Sequence, residues 1–232
     1  MRDPSAANVR LVRASDQSLL IGFGDNISVE HHLRVQSLLR LLEQQPIPGV
    51  RNLHPAYSSL LLVFDGLHLD HAELEMRLSG YLARLETLAT APQRKIEIPV
   101  CYDRDFGVDC EEVAAIRSLT PQQVIAMHCS REYMVYFLGF APGFAYLGDL
   151  PAELDVPRLQ TPRRTVPRGS VAIAGRQTAV YPLSTPGGWR ILGRTPLAMF
   201  TPEPDGASLL RMGDRVRFVP ISREQCDELE QA

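Results

Sequence analysis

Lysine is almost missing from this sequence: of its 24 basic residues 23 are arginine and one, Lys95, is lysine, which excludes most lysine-based mechanisms. No GxxxxGK[ST] and no GxGxxG occurs, so a self-sufficient P-loop or dinucleotide site is excluded. The four cysteines, Cys101, Cys110, Cys129 and Cys226, lie far apart with no CxxC pair, which leaves no zinc motif and no dithiol redox motif. Apolar runs such as Leu60 to Phe64 are far too short to span a bilayer. The start, MRDPSAANVRLVRAS, has no apolar core of signal-peptide length, so no membrane association and a cytoplasmic location are expected. A net charge of -3 argues against a general nucleic-acid binder. Internal repeats, heptads and low-complexity tracts are lacking as well.

What is present describes a folded globular chain. With 45% hydrophobic and 22% charged residues over 232 positions, the sequence can bury one large core or two small ones. The first half alternates strands and helices. Val9 to Arg13 and Ser18 to Phe23 predict a hairpin, and Val35, Leu38, Leu39 and Leu42 line one face of a helix. Val50 to His54 and Leu60 to Phe64 predict a second strand pair. Asp70 with Glu73 marks a capped helix start, followed by the stripe Leu74, Leu78, Tyr81, Leu82 and Leu85. Residues 1 to 92 therefore read as a small α+β domain, with the aperiodic TAPQR at Thr90 to Arg94 as the connection.

Residues 93 to 232 begin with a strand at Ile96 to Val100. Asp109 with Glu112 opens a helix, and Thr120-Pro121-Gln122-Gln123 supplies cap, first-turn proline and capping-box glutamine for another. Brief strands then follow at Tyr133 to Leu138, Val171 to Ala174, Thr178 to Tyr181, Arg190 to Gly193 and Arg215 to Val219, the pattern of a closed or sandwiched β domain.

The chemistry is expected between residues 139 and 194, which hold eight of the sixteen glycines and seven of the eighteen prolines. From Val156 to Pro202 there is no acidic residue, yet there are seven arginines: Arg158, Arg163, Arg164, Arg168, Arg176, Arg190 and Arg194. Guanidinium groups fork onto carboxylate or phosphate oxygens in pairs, so arginines on proline-stiffened loops suit an anionic substrate. Each arginine taken singly is expected to tie a loop or meet an acid from elsewhere; the cluster as a whole is expected to be a site. GFAPGFAYLG places Phe140, Phe144 and Tyr146 in an aromatic loop that covers a ligand or caps a barrel end. Trp189, the sole tryptophan, follows Gly187-Gly188 and reads equally as core or as a displayed platform. His128 ends the helix begun at Thr120, an ordinary helix-end histidine before it is an acid or base. His31, His32, His68 and His71 read as surface residues without metal-site spacing. Ser170 lacks the elbow of GxSxG, so an independent serine hydrolase is not expected.

LGFAPGFAYLGDLP, TPRRTVPRGSVAIAGRQTAVYPLSTPGGWRILGRTP and GDRVRFVPIS resemble, nearly phrase by phrase, the family holding the 5-oxoprolinase B subunit, the sporulation-kinase inhibitor KipI and chains labelled allophanate hydrolase subunit 1. The resemblance runs from about Val9 to Ser222. It implies a small N-terminal α+β (ferredoxin-like) domain followed by a cyclophilin-like β-barrel, and a likeness to half of the carboxyltransferase unit of urea carboxylase. It further implies work with partner A and C subunits of 5-oxoprolinase to open 5-oxoproline to L-glutamate at the expense of ATP. The chain would be inactive alone, with ATP as co-substrate of the assembled complex and no metal site of its own. On this resemblance Phe144, Tyr146, Arg163, Arg168, Gln177, Tyr181, Trp189 and Arg190 are the expected substrate-binding positions. Arg163 and Arg168 would hold a carboxylate or phosphate, Gln177 and Tyr181 the lactam, and Trp189 the ring or the partner C subunit. Inhibition of a histidine kinase, or carboxyl transfer beside a biotin-dependent carboxylase, are the alternatives.

Overall fold

The computed structural model describes residues 9–85, 93–202 and 207–231 and divides the chain into two compact units, Met1–Pro92 and Gln93–Ala232. Thr90 to Pro92 of the expected connection lie outside the described residues.

In the first unit, β1 (Arg10–Ser15) and β2 (Ser18–Gly22) form the hairpin, followed by α1 (Val29–Gln44), β3 (Val50–Pro55), β4 (Ser59–Phe64) and α2 (His71–Leu82). The strands make one antiparallel sheet in the order β1-β2-β4-β3. Leu19 and Ile21 of β2 and Leu60, Leu62 and Phe64 of β4 are fully or almost fully buried, the inward half of a period-two alternation. Ser28 caps α1 by accepting from the His31 amide at 3.1 Å. The buried stripe of α1 is His32, Val35, Leu38, Leu41 and Leu42. His32, expected at the surface, is completely buried because it stands one helical rank before Val35. Asp70 accepts from the Glu73 amide at 2.8 Å, but the Glu73 carboxylate turns to Arg77, so only half of the capping box forms.

The second unit is built on β5 (Lys95–Cys101), then α3 (Cys110–Arg117), α4 (Pro121–Cys129), β6 (Tyr133–Leu138), β7 (Ala145–Gly148), β8 (Arg163–Val166), β9 (Ser170–Ala174), β10 (Gln177–Val180), β11 (Thr185–Gly187), β12 (Arg190–Arg194), β13 (Phe200–Thr201), β14 (Ala207–Ser208), β15 (Arg215–Ile221) and α5 (Arg223–Gln231). Seven strands close a barrel in the order β10-β7-β6-β15-β5-β12-β9, and β8 and β11 form a separate two-stranded ribbon. Ala145 to Gly148, read as the end of an aromatic loop, is barrel strand β7. Its four residues were too few, and too rich in glycine nearby, to signal a strand.

The barrel interior is filled by side chains that include Ile98, Val100, Tyr133, Val135, Leu147, Ile173, Val180, Leu192, Val216 and Phe218. All five residues of β9 are buried. Val171 and Ile173 belong to the interior, whereas Ala172 and Ala174 face a second apolar cluster. Four barrel strands, β7, β9, β10 and β12, contribute to both clusters and are therefore covered on both faces.

The capping box at the start of α4 is complete. Gln123 N donates to Thr120 Oγ1 at 3.2 Å and Thr120 N to Gln123 Oε1 at 2.8 Å, with Pro121 in the first turn. The helix delivers His128 into the barrel, where its ring stacks on Phe218 at 4.5 Å. Its Nδ1 lies 2.8 Å from the Tyr102 hydroxyl and its Nε2 2.9 Å from Thr178 Oγ1. Complete burial drives the His128 pKa down to about 3, so the ring is neutral and part of the core. Between pH 6.5 and 3 the unfolded chain binds a proton that the folded chain refuses, so stability falls as pH drops through that window, by up to about 1.4 kcal/mol per pH unit. Urea midpoints measured from about pH 7 down to about pH 4.5 are expected to show this one-proton slope, and His128→Gln to flatten it by that amount.

Candidate functional site

The second apolar cluster lies on the outer face of the barrel. Its floor is Ala172, Ala174 and Ala179, three small residues on β9 and β10 whose size leaves room for rings. Over them sit Phe144, Tyr181 and Trp189, each at most 5% exposed, with Tyr146 at the margin. Phe144 is the hub, with ring centroids 5.0 Å from Tyr146, 5.3 Å from Tyr181 and 5.8 Å from Trp189, all in edge-to-face arrangement. Tyr146 also stacks on Phe137 at 4.5 Å and meets Trp189 at 6.0 Å. The alternation of β10 puts Gln177 on the same face as Ala179 and Tyr181. Tertiary structure thus brings together Phe144, Tyr146, Tyr181 and Trp189, with Gln177 in register with Ala174 at the end of the alanine floor, and it buries the indole rather than displaying it.

Gly187 explains how the β11 end of the ribbon fits over this cluster. A Cβ there would stand 2.3 Å from the Tyr181 hydroxyl, so only glycine lets the ribbon approach. Phe140 forms an open rim. It is 64% exposed, adopts a φ of 70°, and its ring contacts Phe144 at 5.2 Å and Tyr181 at 6.5 Å. A bulky residue in the left-handed region is strained, and such strain concentrates where a loop has work to do.

The acid-free arginine segment is partly neutralised by acids from other elements. Arg163 Nη2 donates to Asp109 Oδ1 at 2.6 Å. Arg190 Nε donates to the Pro157 carbonyl at 3.0 Å, and its Nη1 lies 2.8 Å from Glu112 Oε1 without hydrogen-bond geometry. Arg194 pairs with Glu230 at 2.8 Å, and Arg176 donates to the Leu150 carbonyl at 2.7 Å. Arg190, an expected substrate contact, is 7% exposed and occupied by these ties. Arg168 is exposed in the turn between β8 and β9 with no hydrogen bond, ion pair or ring contact among the described residues. Arg158, which the sequence offered only as one of seven, is the arginine placed over the Trp189 ring, at 5.8 Å.

Two phenols of the cluster have pKa values above their ordinary value, with burial as the leading cause. Burial raises the Tyr181 pKa, while a hydrogen bond from the Trp189 backbone and the charges of Arg158 and Arg163 oppose that rise. Burial likewise raises the Tyr146 pKa against the opposing charge of Arg158. Arg163 Nη1 and Thr185 Oγ1, both on the β8–β11 ribbon, are buried without a hydrogen-bond partner. Such an arrangement suits a small planar ligand with a carboxylate: ring edges for its body, phenolic and amide groups for its polar atoms, two guanidinium groups for its charge. Among the described residues no three of His, Cys, Asp and Glu group to hold a metal, and no helix is long and apolar enough to cross a membrane.

The architecture is therefore mixed α+β, with a closed seven-stranded barrel overlaid on one outer face by a ribbon. Residues 9–210 match the family model described as the carboxyltransferase domain, subdomain C and D, and the chain belongs to that family. The chain is 40% identical to a Bacillus subtilis protein named as the B subunit of 5-oxoprolinase, over 93% of this chain and 94% of that one. The crystal structure of TTHA0988 superposes with a TM-score of 0.78 at 39% identity, covering 90% of this chain. This chain spans only 40% of the length of TTHA0988. The Kluyveromyces lactis urea carboxylase shares the fold at 20% identity, with a TM-score of 0.78 over 96% of this chain and 22% of that one.

Proposed function

We propose that this chain is the B subunit of a cytoplasmic, ATP-dependent 5-oxoprolinase, a hydrolase that opens 5-oxoproline to L-glutamate together with its A and C subunits. The observation that carries the reading is the exposed Arg158 guanidinium over the Trp189 ring at 5.8 Å, at the edge of the Phe144–Tyr146–Trp189 ring cluster. The name borne by a full-length relative at 40% identity supports the substrate. On this reading the rings receive the five-membered lactam, Tyr181 and Gln177 hydrogen-bond its amide, and Arg158 with Arg163 hold its carboxylate. Arg164 and Arg168, both exposed, remain for a phosphate brought by the other subunits. ATP, bound in the assembled complex, would phosphorylate the lactam oxygen and leave as ADP; one water then adds at the activated carbon and the C–N bond breaks, leaving an acyl phosphate with a free amine, and a second water releases phosphate to give L-glutamate. The chain's part is to fix the substrate in place and stabilise its charge, with no reaction expected from it alone.

The two units are a ferredoxin-like domain, residues 1–92, whose edge strand β1 comes from the N-terminal hairpin, and a cyclophilin-like barrel domain, residues 93–232. The test is 5-oxoproline-dependent ATP hydrolysis and glutamate release by the chain co-expressed with homologues of the A and C subunits. Activity that requires this chain supports the assignment. A silent complete mixture, with the chain instead blocking a histidine kinase, would replace it with the inhibitor reading.

A further inference from the structure

Asp109 precedes α3 in the N-cap position, yet its side chain caps nothing there. Its carboxylate is turned away from the helix and is 4% exposed. One oxygen, Oδ1, accepts from Arg163 Nη2 at 2.6 Å; the other, Oδ2, accepts from the Ile191 backbone amide at 2.6 Å. The Asp109 amide in turn donates to the Ile191 carbonyl at 3.0 Å, so this residue is bound to β12 by both backbone and side chain. Ile191 is two residues after Trp189 and belongs to the ring cluster. One buried carboxylate therefore ties the ribbon arginine to the strand that follows the indole.

A guanidinium has two faces of its fork to offer, and Asp109 takes only one. Arg163 Nη1 is left buried without a hydrogen-bond partner, a costly state for a cationic donor unless a ligand oxygen completes it. Its companion in the same condition is Thr185 Oγ1 on the paired strand of the ribbon. A flexible arginine seeking only charge neutralisation would present its fork to the acid in pairs; here a single contact fixes the group and keeps the second donor in reserve.

We propose that Asp109 is a positioning residue: it holds Arg163 so that the free Nη1 meets the carboxylate of the bound lactam, and it thereby sets the site's preference for a charged over an uncharged ring. The inference rests on the reading of the site given above. It assigns to α3 a part that neither the helix's capping pattern nor the arginine count of the sequence suggests.

Trp189, the sole tryptophan, gives a direct readout of occupancy in the full chain, independent of turnover. Its emission is followed while 5-oxoproline or 2-pyrrolidinone, the same lactam without the carboxylate, is added. The unsubstituted protein is expected to bind 5-oxoproline at least about tenfold more tightly than 2-pyrrolidinone, the range of one charge-assisted hydrogen bond. Asp109→Asn is expected to reduce that ratio to within about threefold while 2-pyrrolidinone binding persists, because the lactam contacts are untouched. Asp109→Glu keeps the ion pair but displaces the guanidinium by one methylene, and is expected to fall between the two. It decides the matter where Asp109→Asn fails to fold. A full preference retained in the folded variants would overturn the positioning role. Absence of any saturable response to 5-oxoproline in the unsubstituted chain would instead remove the site reading on which the role rests.

Discussion

Replacing Arg158 by alanine is expected to raise the KM for 5-oxoproline about 10- to 100-fold in the assembled enzyme, the worth of one charge-assisted contact to a carboxylate. Arg158 is exposed and lies over the Trp189 ring, and it makes no ion pair among the described residues. Its removal therefore leaves no buried charge unpaired, and the loss of stability is expected to stay below about 1 kcal/mol, the worth of an exposed cation–π contact. That separation of effects makes it a cleaner probe than Arg163, whose loss would strand the buried Asp109 carboxylate at a cost of about 3–5 kcal/mol. Steady-state kinetics on Arg158→Ala and Arg168→Ala, each paired with a thermal melt, locate the anion. A larger KM effect at Arg168 would move the carboxylate site out to the turn between β8 and β9.

Trp189→Ala is expected to destabilise the barrel unit by about 3–5 kcal/mol, the usual cost of emptying a large aromatic from a packed site. The indole is 5% exposed and contacts Phe144 and Tyr146 edge to face. The alanine floor beneath the rings cannot rise to fill the space, since Ala172 and Ala179 are register partners in the barrel wall. Urea unfolding followed by far-UV circular dichroism measures the loss without needing the tryptophan signal. A change under about 1 kcal/mol would mean that the indole is held more loosely than its burial implies. Trp189→Phe, which keeps a ring against Phe144, is expected to recover a large part of the difference.

Both effects come from a layer that the sequence shows only in outline. Val171 to Ala174 reads as a strand because it is continuously apolar, and continuous apolarity signals burial on both faces without naming what covers each. The cover on the outer face is the β8–β11 ribbon, whose four and three residues are too short to carry a period of their own. Trp189 was for that reason ambiguous between core and platform. His32 shows the same limit on a helix: a polar residue at the first rank of an apolar stripe gives no local sign of being buried.

The arginines make the distinction sharpest. Their number, their proline-stiffened loops and the absence of acids from Val156 to Pro202 are properties of the linear chain, and they announce a positive region. Which of them remain available was settled by Asp109 and Glu112 at the start of α3 and by Glu230 on α5, far away in sequence. Asp109 looked like a helix cap because its spacing to Glu112 fits one, and a carboxylate has no sequence feature that tells a cap from an ion pair.

The sequence by itself determined the elements whose cause is local: the α1 helix with Val35, Leu38 and Leu42 on its buried face, the Thr120–Gln123 capping box and the strands with repeating apolar positions. Their hydrogen bonds and buried faces depend on residues three, four or two positions apart. Only the tertiary structure decided that the barrel closes, that its outer face carries a ring cluster, and that Arg158 rather than Arg190 faces it. Those outcomes depend on contacts between residues tens of positions apart, where the free energy of packing and charge pairing is set by proximity in space and not by spacing along the chain.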